Sequence, residues 1–245
     1  KISKSAQGEY QKPTDAAHYV GKYGADLLRL WVSSVNFTDD VPFSEEIFTR
    51  LSDAYRRIRN TLRILLANLH DYDASKPPAP EDLTFVDRWI LARLQEVAAT
   101  CAEAYESLEF HRVYHTINQF CAVDLSILYV DITKDRLYCD KGDSSRRRAT
   151  QFAMHKVFDG LTRLLAPILA FTAEEAWGYF QKDSSVHMQL FPNPDPEWTN
   201  PEAVQEMARL LEIRARISQA VEKIQKAGEI GSALEAHVVL TAPPS

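Results

Sequence analysis

"SEEIFTRLSDAYRRIRNTLRILLANLH", residues 44–70, is a helix written out in full. Ser44 stands where an N-cap belongs, and Glu45 and Glu46 place negative charge against the positive end of the helix dipole. Behind them Leu51, Tyr55, Ile58, Leu62, Leu65 and Leu69 recur at three- and four-residue spacing, so one apolar stripe runs the whole length. A stripe of that kind has to be covered, and the neighbouring stretches supply the cover. Pro13-Thr14-Asp15 opens a short helix that Gly24 closes, and "ADLLRLWVSS" continues to about Ser34. The proline-rich "DASKPPAPED" connects to a long helix that Thr84 starts and that runs through "RWILARLQEVAATCAEAYESL". A third long helix spans about His111 to Tyr138. Asp143 is expected to cap a fourth, which Pro167 bends or breaks, and Thr172 with Glu175 reads as a capping box for a last turn around Trp177.

After the irregular "SSVHMQLFPNPDPEW", Asn200-Pro201-Glu202 starts a final helix to about Ala227, and "LEAHVVL" reads as a β-strand whose partners are missing. Strand signals are too few for a sheet. The expected fold is therefore all-α, a helical bundle with a short C-terminal β segment.

The 245 residues, 45% hydrophobic and 25% charged with 8 Gly and 12 Pro, can bury a sizeable core. Lys and Arg number 28 against 34 Asp and Glu, a formal charge of −6, so contact with nucleic acid must come from local patches. Cys101, Cys121 and Cys139 form no C-x-x-C pair, which indicates neither a metal knuckle nor a disulfide framework and fits a cytoplasmic protein. No long uninterrupted apolar run and no signal-peptide core is present, so no membrane partner is expected. The chain starts without Met in a loop-like stretch, as a piece of something larger would.

Chemistry-bearing patterns are sparse. His111 and His115 lie one helical turn apart, but no acid or Cys completes a ligand set, and no metal site is expected. No G-x-S-x-G elbow or glycine-rich phosphate loop occurs. Trp31, Trp89 and Trp177 sit inside apolar periodic segments and are expected in the core. The arginines say more. At 100° per residue Arg56, Arg59 and Arg63 share a stripe roughly 60° wide, about a third of a turn from the apolar face. They are either a solvated face with ion pairs or a ridge for phosphates. Arg146, Arg147 and Arg148 crowd a helix first turn, where the dipole disfavours cations, which calls for an external anion or a neighbouring acidic helix.

Lys1-Ile2-Ser3-Lys4-Ser5 resembles the K-M-S-K-S signature of class I aminoacyl-tRNA synthetases. "KYGADLLRLWVSSVNFTDDVPFSEEI", "YRRIRNTLRILLANL", "DRWILARL", "DLSILYVDITKDRLY" and "LTRLLAPILAFTAEEAW" resemble bacterial-type isoleucyl-tRNA synthetases, in their order, and "EIGSALEAHVVL" favours the isoleucine family over its relatives. Ile2 stands where that family usually has Met, and the "AQGEY" loop is one residue longer than usual.

The resemblance implies a bundle of the class I anticodon-binding type, divided as a signature loop and connector over 1–43, the bundle over 44–182, and a segment leading into a C-terminal region over 183–245. It implies ATP binding by Lys1, Ser3, Lys4 and Ser5, with Lys4 stabilising charge as pyrophosphate leaves and Lys1 in a lesser catalytic role. Arg56, Arg59, Arg63, Arg146, Arg147 and Arg148 become candidate contacts to tRNA(Ile). ATP with Mg2+ and isoleucine would be bound through a catalytic domain outside these residues, and zinc only in other parts of the parent. The chain holds no H-I-G-H-type sequence, and a monomer inactive by itself is expected. The alternatives are the same domain of a valyl-, leucyl-, methionyl- or cysteinyl-tRNA synthetase, or a helical scaffold for protein partners. Salt-dependent tRNA binding separates a synthetase domain from a scaffold.

Overall fold

The structure is a computed structural model that describes residues 16–41 and 44–241. Among these residues no strand occurs, and the helices are α1 (Ala16–Tyr23), α2 (Ala25–Ser33), α3 (Glu45–Asn68), α4 (Phe85–Glu106), α5 (Phe110–Gln119), α6 (Val130–Tyr138), α7 (Ser145–Leu165), α8 (Ala170–Phe180) and α9 (Pro201–Lys226). Two compact units result, one ending at Thr199 and the other beginning at Asn200.

In the first unit α4 and α7 pack side by side at the centre, and α3, α5, α6 and α8 surround them. Gly160 on α7 permits this approach, because a Cβ there would meet the Leu94 side chain at 3.2 Å. The interior is filled by Phe48, Ile58, Leu62 and Leu65 of α3, Trp89, Ile90 and Leu91 of α4, and Phe158 of α7. That set contains Ile58, Leu62 and Leu65 of the apolar stripe of 44–70; Leu51 is buried as well, and Tyr55 and Leu69 are half-buried. Ser44 caps α3 through the Ile47 amide, and Thr84 with Asp87 forms a reciprocal capping box on α4. Trp89 and Trp177 are buried, while Trp31 packs at 5.5 Å against Phe48.

α5 and α6 are one rod joined by a π-helical segment, Phe120–Tyr129. Its wider turn draws Phe120, Cys121, Asp124, Leu125, Leu128 and Tyr129 onto a narrower inward face than a regular 3.6-residue period, which would spread them over about half of the helix circumference. Tyr129 ends the segment by donating to Asp87, and that fully buried carboxylate also accepts from Thr84 and Thr150. The polar pin therefore joins α4, α7 and the π segment, with every partner satisfied.

Three local expectations are corrected. Ser144, not Asp143, caps α7, by accepting from the Arg147 amide. The carboxylate of Asp26 on α2 caps α8, accepting from the Phe171 and Thr172 amides and the Thr172 hydroxyl, so Thr172 and Glu175 form no capping box there. The long-range acid wins because it satisfies three donors at once. The stretch read as a β-strand forms one 3₁₀ turn, Ala233–Glu235, followed by residues without regular structure, because a strand needs a pairing edge. In that second unit Asn200 caps α9 and Pro201 occupies its first turn, as the sequence indicates.

Candidate nucleic-acid interface

α3 carries Arg56, Arg59 and Arg63 on its solvent side because its apolar stripe is turned to the core. Arg56 reaches Asp53, 3.1 Å away one turn earlier, and remains 69% exposed. Arg59 directs Nη2 across to α8, where it lies 3.0 and 2.9 Å from the two oxygens of Glu175. Arg63 is exposed and has no acidic partner among the described residues.

Between α3 and α8 lies a groove of about 680 Å³. Its apolar lining comes from Leu62, Leu66, Ala67 and Ala176, and its polar rim from Arg59, Asn60, Arg63, His70, Glu175 and Tyr179. Apolar lining beneath cations and an exposed aromatic ring suits a nucleic-acid strand, whose phosphates take the guanidiniums and whose bases can stack. The groove walls are fixed from inside. Tyr55 on α3 lies 2.9 Å, hydroxyl to hydroxyl, from Thr172 on α8, and Asp26 holds the start of α8.

The second arginine cluster is placed differently. Arg147 is buried, with Nη1 2.7 Å and Nη2 3.0 Å from the two oxygens of Asp71, and it also donates to the carbonyls of Leu137 and Gly142. The Arg147 guanidinium holds the Asp71 carboxyl well below the usual carboxylate range, with Gln151 assisting. Arg148 donates to the Asp71 carbonyl and to Gln151, and Arg146 pairs with Asp140 at 2.7 Å. The anion that the crowded first turn calls for is thus intramolecular. Of the three, Arg147 is corrected from a phosphate contact to a buried staple between α7 and the end of α3, because a guanidinium enclosed by four acceptor groups has no face left for RNA.

Lys1, Ser3, Lys4 and Ser5 lie outside the described residues. Among the described residues no group of three or more His, Cys, Asp or Glu is arranged to hold a metal, and no helix is long and apolar enough to cross a membrane. Cys101 and Cys121 are buried, and burial pushes both thiols up to about 12, so neither is a nucleophile at neutral pH.

Asn60, His70, Glu175 and Tyr179 are groove residues that the helical stripe alone does not single out. His70 is within reach of such a reading, since it follows Arg63 by seven residues and so returns to the same face. Glu175 and Tyr179 face α3 only through the packing of two helices more than 100 residues apart, which no local pattern encodes.

The family described as the anticodon-binding domain of tRNA ligase matches residues 87–240, more than half of the chain. The chain belongs to that family. This anticodon-binding domain is 44% identical over its full length to the isoleucine–tRNA ligase of Geobacter sulfurreducens, covering 26% of that protein, and 43% identical over 99% of the chain to that of Syntrophotalea carbinolica, again covering 26%. The chain thus spans about a quarter of the length of the curated relatives it matches. In fold it is similar to Agrobacterium radiobacter K84 agnB2 LeuRS, solved as a ternary complex with tRNA and LeuAMS, at a TM-score of 0.58 and 18% identity over 76% of the chain and 22% of that protein.

Proposed function

We propose that this anticodon-binding domain is the tRNA-holding part of an isoleucine–tRNA ligase, which activates isoleucine with ATP and transfers it to tRNA(Ile). The observation that carries this reading is full-length identity of 44%, in an alignment that takes in the lysine–serine stretch at residues 1–5 as well as the helical bundle. The basic rim of the α3–α8 groove supports it, because it offers phosphate contacts on a chain whose net charge is −6.

In this reading residues 1–43 are the signature loop and connector, 44–182 the bundle, and 183–245 the way into a C-terminal region. Arg56, Arg59 and Arg63 hold the RNA backbone. Lys1, Ser3, Lys4 and Ser5 face ATP, which with Mg2+ is held by parts of the ligase outside this chain. The Lys4 ammonium meets phosphate charge in the closed, water-poor site, where a mobile cation stabilises the charge that develops as pyrophosphate departs. Lys1 positions the nucleotide, and the hydroxyls of Ser3 and Ser5 shape the loop. A monomer working in the cytoplasm fits this role.

The test is ATP–pyrophosphate exchange by the complete ligase with isoleucine, valine, leucine or methionine as the amino acid. Isoleucine is expected to drive exchange best, and the isolated 245-residue chain to drive none. Preference for another amino acid, or isoleucine-dependent exchange by the pure chain, overturns the reading.

A further inference from the structure

Glu175 is the one carboxylate among the described residues that line the α3–α8 groove. Its two oxygens lie 3.0 and 2.9 Å from a single nitrogen, Nη2 of Arg59, and both side chains are 53% exposed. The pair therefore keeps much of its hydration and is of the weak, exchangeable kind. It is also not what holds α8 in place. Asp26 caps that helix, Tyr55 bonds Thr172, and Trp177 buries the other side in the core. With those attachments present, the carboxylate of Glu175 has one evident effect, which is to neutralise Arg59 at the mouth of a basic groove.

We propose that Glu175 is an internal stand-in for RNA phosphate: it occupies Arg59 in the free protein, is displaced when the tRNA backbone reaches the groove, and so weakens tRNA binding and flattens its salt dependence. This rests on the ridge being the RNA surface. A carboxylate and a phosphate offer a guanidinium the same pair of anionic oxygens, so one can replace the other without remodelling Arg59. Until the exchange occurs, the incoming phosphate meets the free charge of Arg63, the half-masked charge of Arg56 and the repulsion of Glu175. Removing the acid leaves Arg59 able to bind phosphate with no competing anion, and it also spares the cation that the freed Glu175 carboxylate takes up from solution, so the net release of ions on binding rises by up to about one. A like charge placed in a binding groove is also a means of discouraging loosely fitting polyanions.

The experiment uses fluorescence anisotropy with an isoleucine-accepting tRNA transcript and the 245-residue chain, between about 50 and 200 mM salt. Glu175→Gln keeps the size of the side chain and removes its charge. It is expected to raise affinity about twofold to fivefold at low salt, the effect of one exposed ion pair, and to steepen the slope of log K against log salt by up to about one unit. The gain must vanish in the double variant Arg59→Gln, Glu175→Gln. Unchanged or weaker binding by Glu175→Gln, or a gain that persists without Arg59, overturns the inference. Arg63→Gln separates the two levels. If it weakens binding while Glu175→Gln changes nothing, only the role of Glu175 falls; if neither variant alters binding, the RNA reading of the groove falls with it. Unfolding midpoints equal to the parent's establish that each variant compares folded protein.

Discussion

Arg147 and Arg63 carry the same guanidinium and meet opposite surroundings. Arg147 is 9% exposed and bidentate to Asp71, whereas Arg63 stands in solvent with no acidic partner among the described residues. Removing a charge from a buried pair leaves the other uncompensated, so Arg147→Gln is expected to lower stability by about 2–3 kcal/mol, somewhat under the usual cost because Asp71 is a third exposed. Arg146→Gln, on the open pair with Asp140, is expected to leave the urea midpoint nearly where it was; equal losses for the two variants would contradict the assignment. Both clusters are visible in the sequence as runs of arginine, and only the second has a buried member, Arg147. Position in a first turn tells that Arg146–Arg148 need an anion. That Asp71 supplies it depends on a contact across 76 residues, which spacing cannot give. For Lys4, the proposed role predicts that Lys4→Ala in the complete ligase slows adenylate formation about tenfold to a thousandfold, with a smaller change in KM for ATP, because the contact matures only as charge develops. Unchanged single-turnover adenylation removes Lys4 from the mechanism.

α3 shows how much of an element a sequence carries: cap, dipole-matched acids and apolar stripe are all in 44–70, and the helix runs from Glu45 to Asn68. α8 shows the opposite, because its cap comes from Asp26, 145 residues away along the chain from Phe171. The π segment is legible only as helix, since its widened turn is set by packing demands on Phe120 through Tyr129 rather than by any residue's propensity. α7 carries a titratable group of its own, His155, between Tyr72 at 5.3 Å and Phe180 at 4.9 Å. Burial lowers its pKa, so the folded state resists the proton that the unfolded chain accepts. Stability is then full above about pH 6.5 and declines as pH falls below that value. Asp71, held low by Arg147, adds a second decline beginning near about pH 4, where the unfolded carboxylate takes up its proton. Urea midpoints from about pH 8 down to about pH 3 are expected to fall in two stages. His155→Phe should flatten the upper stage and Asp71→Asn the lower. A single acid transition untouched by either substitution contradicts this assignment.

At the scale of the whole molecule, a chain of net charge −6 is proposed to bind a polyanion. Placement eases the conflict: Arg146 and Arg147 pair with acids inside the fold or at its edge, while Arg56, Arg59 and Arg63 line up on one exposed helix face beside a groove, where the pairs of Arg56 with Asp53 and Arg59 with Glu175 are open to solvent and Arg63 has no acidic partner among the described residues. Phosphate contacts position RNA and base contacts select it, so this face should govern how strongly tRNA is held and hardly at all which anticodon is preferred. The most direct measurement is the salt dependence of tRNA binding by the complete ligase with Arg56, Arg59 and Arg63 all replaced by Gln, the variant first shown to melt cooperatively near the parent temperature. Binding weakened, a slope of log K against log salt made shallower by up to about one unit for each phosphate no longer neutralised, and anticodon discrimination preserved is the predicted result. A folded triple variant with parental affinity and parental slope would contradict it, and would make the ridge a solvated face.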